Sequence, residues 1–138
     1  MTTPLAVLVL YALWTVFVLL AGVATARTKR VMNGEKFSDF PGGVAEGPPY
    51  HQRAMRAHLN CVENLPVYAA VAITAAIAGV TGPVISGLAI AVLIARIAQS
   101  SLHLSFEQTE PVVRVRGSLF GIQIFAIVWM AIIVLIYA

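Results

Sequence analysis

Charge is what this chain has least of. Asp, Glu, Lys and Arg make up 11% of its 138 residues, where a soluble domain carries about a quarter. Together with 59% hydrophobic residues and a mean hydropathy of +0.87, this excludes an ordinary soluble domain and predicts an integral membrane protein. Acids are scarcer still, six against nine bases. The resulting net charge of +3 is too small and too localised to predict nucleic-acid binding. There is one cysteine, Cys61, which excludes an intramolecular disulfide. Sequence alone places no histidine partner for it, so it reads as a small packed residue rather than a nucleophile. No second His or Cys stands at ligand spacing from His103, so no metal site is expected. Repeats and low-complexity segments are also lacking, and the length predicts one domain, residues 1–138.

What is present is four long apolar runs. Leu5 to Ala24 is twenty apolar residues, enough to cross about 30 Å of hydrocarbon at about 1.5 Å per residue. A signal peptide carries its positive charge before the apolar run; here Arg27, Lys29 and Arg30 follow it, which predicts an uncleaved first helix. Asn33-Gly34, Pro41-Gly42-Gly43 and Gly47-Pro48-Pro49 mark a loop. The expected fold is all-α, a four-transmembrane-helix bundle. Its helices are expected over about 4–26, 50–79, 84–105 and 112–138, with a long loop over about 27–49. Pro66 should bend or loosen the second helix. Every charged residue falls at one end of this plan. The positive-inside rule then makes both charged connections cytoplasmic and both termini extracytoplasmic.

The densest polar motif is Arg53-Ala-Met-Arg-Ala-His-Leu-Asn-Cys-Val-Glu-Asn-Leu-Pro66. On a helix, Arg53, Arg56, Asn60 and Glu63 fall within an arc of about 80°. Arg96, Gln99 or Ser100, and His103 form a second stripe, and Arg116, Phe120 and Gln123 a third, all at one depth. Snorkelling arginines and interhelical hydrogen bonds explain such stripes structurally. A cationic pocket for a small anion, with guanidinium groups gripping carboxylates, explains them functionally. An ionised group at a helix centre costs about 2.5–3.5 kcal/mol on insertion scales, so Glu63 is expected to have a basic partner or a hydrogen-bond network. Gly117 and Gly121 form a GxxxG that permits close helix contact. Trp14, Trp129 and Tyr137 suit packing or an interfacial belt.

The run Arg56-Ala-His-Leu-Asn60-Cys-Val-Glu63-Asn-Leu-Pro66 closely resembles the signature of the MAPEG family, membrane-associated proteins in eicosanoid and glutathione metabolism. The similarity extends over the whole chain and is greatest to the family's bacterial branch. It implies a homotrimer in a bacterial inner membrane that binds glutathione between neighbouring subunits. It further implies a transferase or peroxidase acting on a lipophilic electrophile or hydroperoxide from the bilayer. Arg56, Asn60 and Glu63 match glutathione-contacting positions, Arg27 a first-helix arginine near its carboxylate, and Arg96 a structural or binding arginine. Arg116 matches the arginine held to stabilise the thiolate. A cation there makes chemical sense, because a thiol of pKa about 8.5 is a better nucleophile at neutral pH once its anion is stabilised. Gln99, His103 and Phe120 stand where glutathione-using members typically carry tyrosines. That departure motivates an alternative, a non-catalytic member binding another anionic or lipid ligand. A third possibility is a small transporter with Glu63 as a proton-coupled carboxylate.

Overall fold

Each apolar run folds as one continuous helix in the computed structural model, which describes residues 1–138. We label them α1 (Thr3–Met32), α2 (Pro49–Ile77), α3 (Pro83–Ser105) and α4 (Glu110–Tyr137). All four carry proline in the first turn: Pro4, Pro49, Pro83 and Pro111. Proline's fixed φ suits that turn and its missing N–H costs nothing there, so the residue that ends helices elsewhere starts them here. After α2, Gly79 at φ 70° lets Val80 N–H reach back to Ala75 O at 2.9 Å, closing the helix before the short turn into α3.

The chain runs up and down through an antiparallel bundle. α3 and α4 pack most extensively, α1 lies against α2 and α3, and α2 also touches α3 and, less, α4. The core is built from one apolar face of each helix, with Tyr11, Val18, Cys61, Tyr68, Ala72, Val92 and Met130 fully enclosed. Two phenols tie α1 to α2: Tyr68 Oη donates to Pro4 O at 3.0 Å and Tyr11 Oη to Cys61 O at 3.3 Å. Cys61 is the packed residue its surroundings suggested, with Sγ 3.3 Å from Ser100 Oγ. The outward faces carry Val9, Leu13, Phe17, Ile94, Phe125 and Leu135 in the open. Four helices of 23 to 30 residues with apolar exteriors make this a multi-pass membrane protein.

One boundary differs from the sequence reading. α2 is continuous through Pro66, which leaves out the hydrogen bond that proline cannot donate. α1 does not end near 26 but runs to Met32, because Ala, Arg and Lys after Thr25 favour helix. Between them Leu19–Ala24 forms a π-helical turn. Thr25 Oγ1 donates to Leu20 O at 2.9 Å and Tyr50 Oη to Ala21 O at 3.3 Å, occupying carbonyls in the widened turn. Gly22 there lies so close to α2 and α3 that an added Cβ would sit 3.1 Å from both Ala54 and Leu104 side chains. The extra residue turns everything after it by about 100°.

Candidate functional site

The helices bring polar side chains together at the charged end. α3 and α4 do so most tightly. Gln123 Nε2 donates to Gln99 Oε1 at 3.0 Å and to Leu119 O at 3.0 Å. Gln99 Nε2 donates to Arg116 O at 3.4 Å. Arg116, 7% exposed, places Nη1 2.8 Å from His103 Nδ1. Arginine cannot accept a hydrogen bond, so His103 Nδ1 must carry the lone pair, and the neutral ring keeps its proton on Nε2. The guanidinium is therefore held by a neutral group rather than neutralised by a carboxylate, and its Nε has no partner in the chain. A positive charge held this way in an apolar bundle can stabilise an anion brought to it.

The α2 motif flanks this network. Its core face is Ala54, Ala57 and Cys61, while Arg53, Arg56 and Asn60 are half-buried one step around the helix. Arg56 Nη1 donates to Gln108 Oε1 in the α3–α4 connection. Asn60 and Asn64 donate to carbonyls one turn back, Arg56 O at 2.8 Å and Asn60 O at 3.0 Å. Glu63 is exposed and pairs with nothing in its own chain, contrary to the expected cation partner. A second acid on the helices, Glu110, opens α4 and pairs with Arg114 at 3.2 Å. The reason for Glu63's isolation is angular: it sits 200° from Cys61 on the helix, at about 100° per residue, and so points away from the core.

Three further candidates lie elsewhere. Arg96 is fully enclosed, with its guanidinium carbon 5.6 Å from the centre of the Tyr11 ring and no acceptor in the chain bonded to its nitrogens. The stripe expected on α3 is really two. Arg96 and Ser100 face α1 and α2, whereas Gln99 and His103 face α4. Phe120 is 38% exposed on the outside of α4, apart from its buried stripe neighbours Arg116 and Gln123. Arg27 lies beneath the loop, 5.7 Å from the Phe40 ring centre, with Nη2 4.0 Å from Met55 Sδ. Gly117 and Gly121 meet no other helix of the chain.

Sequence reasoning missed the cluster that folds the long loop. Arg30 Nε donates to Glu35 Oε1 and Oε2 at 2.9 and 3.0 Å, and Nη1 lies 2.8 Å from His51 Nδ1. The Phe40 ring stacks on Arg30 at 4.7 Å and meets His51 edge-on. The Arg30 guanidinium holds the Glu35 carboxyl below its usual range. No local signal announces this cluster, since it depends on the π turn that aims Arg30. Gln108 was also missed, because a loop amide says nothing of the arginine it will meet.

A surface cleft of about 620 Å³ lies at the opposite end between the α2–α3 turn and Trp129, Ile132 and Ile136. Its walls are mostly apolar, so size does not mark the chemistry here. A smaller cleft of about 340 Å³ at the charged end is lined by Gln52, Arg53, Arg56, Glu107, Gln108 and Thr109 beside Pro49.

A four-helix membrane bundle with a polar, arginine-rich network at one end is the class of protein defined so far. The MAPEG family model matches residues 4–136, and the chain belongs to the MAPEG family. That family includes glutathione transferases and peroxidases as well as non-catalytic members. No curated protein and no solved structure matches the chain.

Proposed function

We propose that this protein is a membrane-bound, glutathione-dependent transferase or peroxidase in which Arg116 stabilises the thiolate. The observation that carries the reading is the buried Arg116 guanidinium, bonded to neutral His103 and to no carboxylate. A thiol reaching it gives up its proton to solvent, and the anion rests against the cation. With an electrophile from the bilayer, sulfur forms a bond to carbon and the displaced group or an added proton completes the product. With a hydroperoxide, two thiols give a disulfide while the peroxide becomes an alcohol and water.

Arg56 and Asn60 serve as binding residues at the mouth of this network. Arg27 joins them only if the loop over it shifts. Glu63 and the open Gly117/Gly121 face suit burial against neighbouring copies, in keeping with a homotrimer whose ligand lies between subunits. The charge pattern supports a cytoplasmic polar end with both termini outside, in keeping with a bacterial inner membrane. Arg96 is assigned to structure rather than to the ligand, because it is sealed inside its own subunit.

Turnover of an electrophile panel and of a lipophilic hydroperoxide with glutathione tests this. Activity lost in Arg116→Ala, with assembly intact, is expected; undiminished activity in that variant removes the assignment. One observation favours a second reading, a non-catalytic member that binds another anionic or lipid ligand. Gln99 and His103, where glutathione-using members have tyrosines, are occupied by bonds to Arg116 and Gln123. No turnover across the panel, with a co-purifying anion or lipid seen by mass spectrometry, would establish that reading instead.

A further inference from the structure

We propose that residues 35–46 form a strap that closes over Arg27, that Arg30 holds it shut, and that an anionic ligand gains the Arg27 guanidinium only when the strap lifts. The inference rests on the thiol reading and adds an access step to it. It makes Glu35 and Phe40 the residues that set how often the site stands open.

The strap is lightly fastened. From Lys36 to Glu46 every hydrogen bond stays within it, as in Lys36 N–H to Asp39 Oδ2 and Glu46 N–H to Val44 O, both at 3.1 Å. Its hold on the helices passes chiefly through three side chains. Glu35 bonds to Arg30, Phe40 lies against Arg27, Arg30 and His51, and Ala45 packs on the small cluster of Val23, Ala54 and Met55. Two of the three meet on Arg30. Glycines in the left-handed region stand at both ends, Gly34 at φ 104° and Gly47 at φ 89°. Such positions absorb a change of chain direction, which is what the hinges of a moving segment need.

What the strap covers is a cation without a counter-charge. Arg27 makes no ion pair, and its Nε is sealed and bonded to nothing in the chain. The Phe40 ring centre lies 5.7 Å from its guanidinium carbon and 4.7 Å from that of Arg30. Attraction to the ring face stands in for an anion there. On its other side Arg27 Nη2 lies 4.0 Å from Met55 Sδ, so the covered cation adjoins the residue before Arg56 on α2. The two arginines of the α1 extension thus differ. Arg30 is committed to the strap through Glu35 and to α2 through His51 Nδ1, 2.8 Å away. Arg27 is kept beneath the strap with its charge unanswered. An anion arriving at Arg27 displaces Phe40, and Phe40 in place keeps the anion away. Ligand and strap compete for one guanidinium, which makes the closed strap an autoinhibitory contact.

The test combines hydrogen exchange of the strap amides with calorimetric binding of glutathione, both on the detergent-purified protein. The variants are Glu35→Gln, Phe40→Ala, Arg27→Gln and the double variant Arg27→Gln/Glu35→Gln. Glu35→Gln is expected to speed exchange across residues 36–46 while the helices keep theirs. It should also tighten glutathione by about threefold, the scale of one part-exposed ion pair that no longer holds the closed form. Phe40→Ala should tighten it at least as much, because it takes the ring off Arg27. In the Arg27→Gln background the gain from Glu35→Gln should vanish, since the strap then covers nothing the ligand needs. Exchange unchanged in Glu35→Gln overturns this inference and leaves the thiol reading standing. So does glutathione affinity that is equal or weaker in Glu35→Gln and Phe40→Ala, or a gain that survives Arg27→Gln. No binding of glutathione to the parent protein removes the thiol reading and the inference with it.

Discussion

Arg96 on α3 and Arg116 on α4 are both buried guanidinium groups in an apolar bundle, yet their surroundings treat them in opposite ways. Arg96 faces α1 and α2, shut in by the Tyr11 ring, with no acceptor of the chain bonded to its nitrogens. Arg116 faces α3, fixed by His103 and framed by the Gln99–Gln123 pair. A buried ion without a counter-charge costs several kcal/mol, so both positions burden the fold. On the reading proposed above, only Arg116 recovers that cost by meeting an anion, because its fixing group is neutral and it is not wholly enclosed. On that reading, the difference separates a cation built into the scaffold from one held ready for a ligand.

The sharpest way to break this comparison is to remove each arginine. Arg116→Ala is expected to lower glutathione turnover by about 100-fold or more, the scale of losing one preorganised charge at a developing anion. Arg96→Met should change turnover far less, and should leave the thermal midpoint in detergent unchanged or raised, since an apolar side chain replaces an unpaired buried charge. Kinetics and a melting curve on the two variants check both halves; equal loss of turnover would erase the distinction.

The frame around Arg116 can be tested next. Gln99→Leu and Gln123→Leu should each destabilise by about 1–3 kcal/mol, because either one strands a buried amide. The double variant Gln99→Leu/Gln123→Leu should cost less than the sum of the two. Thermal unfolding of all three gives the coupling, and simple additivity would show that the pair is not a unit.

The smallest expected effect is at the loop. The Arg30 guanidinium keeps the Glu35 carboxyl below its usual range, so this contact adds stability above the ordinary carboxylate pKa and loses it as pH falls through the lowered folded value. Acidification, or Glu35→Gln at neutral pH, should therefore speed proteolytic nicking between Asn33 and Pro48 while the helices stay intact. A nicking rate indifferent to both would mean that Arg30 does not anchor the loop.

The four helices and the polar end were legible in the sequence because hydrophobic length and charge placement are large, local signals. The Arg56–Asn60–Glu63 face was legible for the same reason, as periodicity alone puts those residues together. The orientation of that face was not. Nothing local says that Glu63 turns outward, or that α3 splits its polar residues between two neighbours, because side-chain partners depend on how helices rotate against each other. The π turn at Leu19–Ala24 has no sequence signature of its own, yet it aims Arg27 and Arg30 and so arranges the loop. Tertiary packing decides such details at a cost too small and too distributed to read residue by residue.

The central claim is most directly tested by ultraviolet difference absorbance of glutathione thiolate on the detergent-purified protein. A saturable thiolate signal at neutral pH is expected in the parent protein and in Arg96→Met, and none in Arg116→Ala. A signal of equal size in Arg116→Ala, or no signal in the parent protein at saturating glutathione, would contradict it.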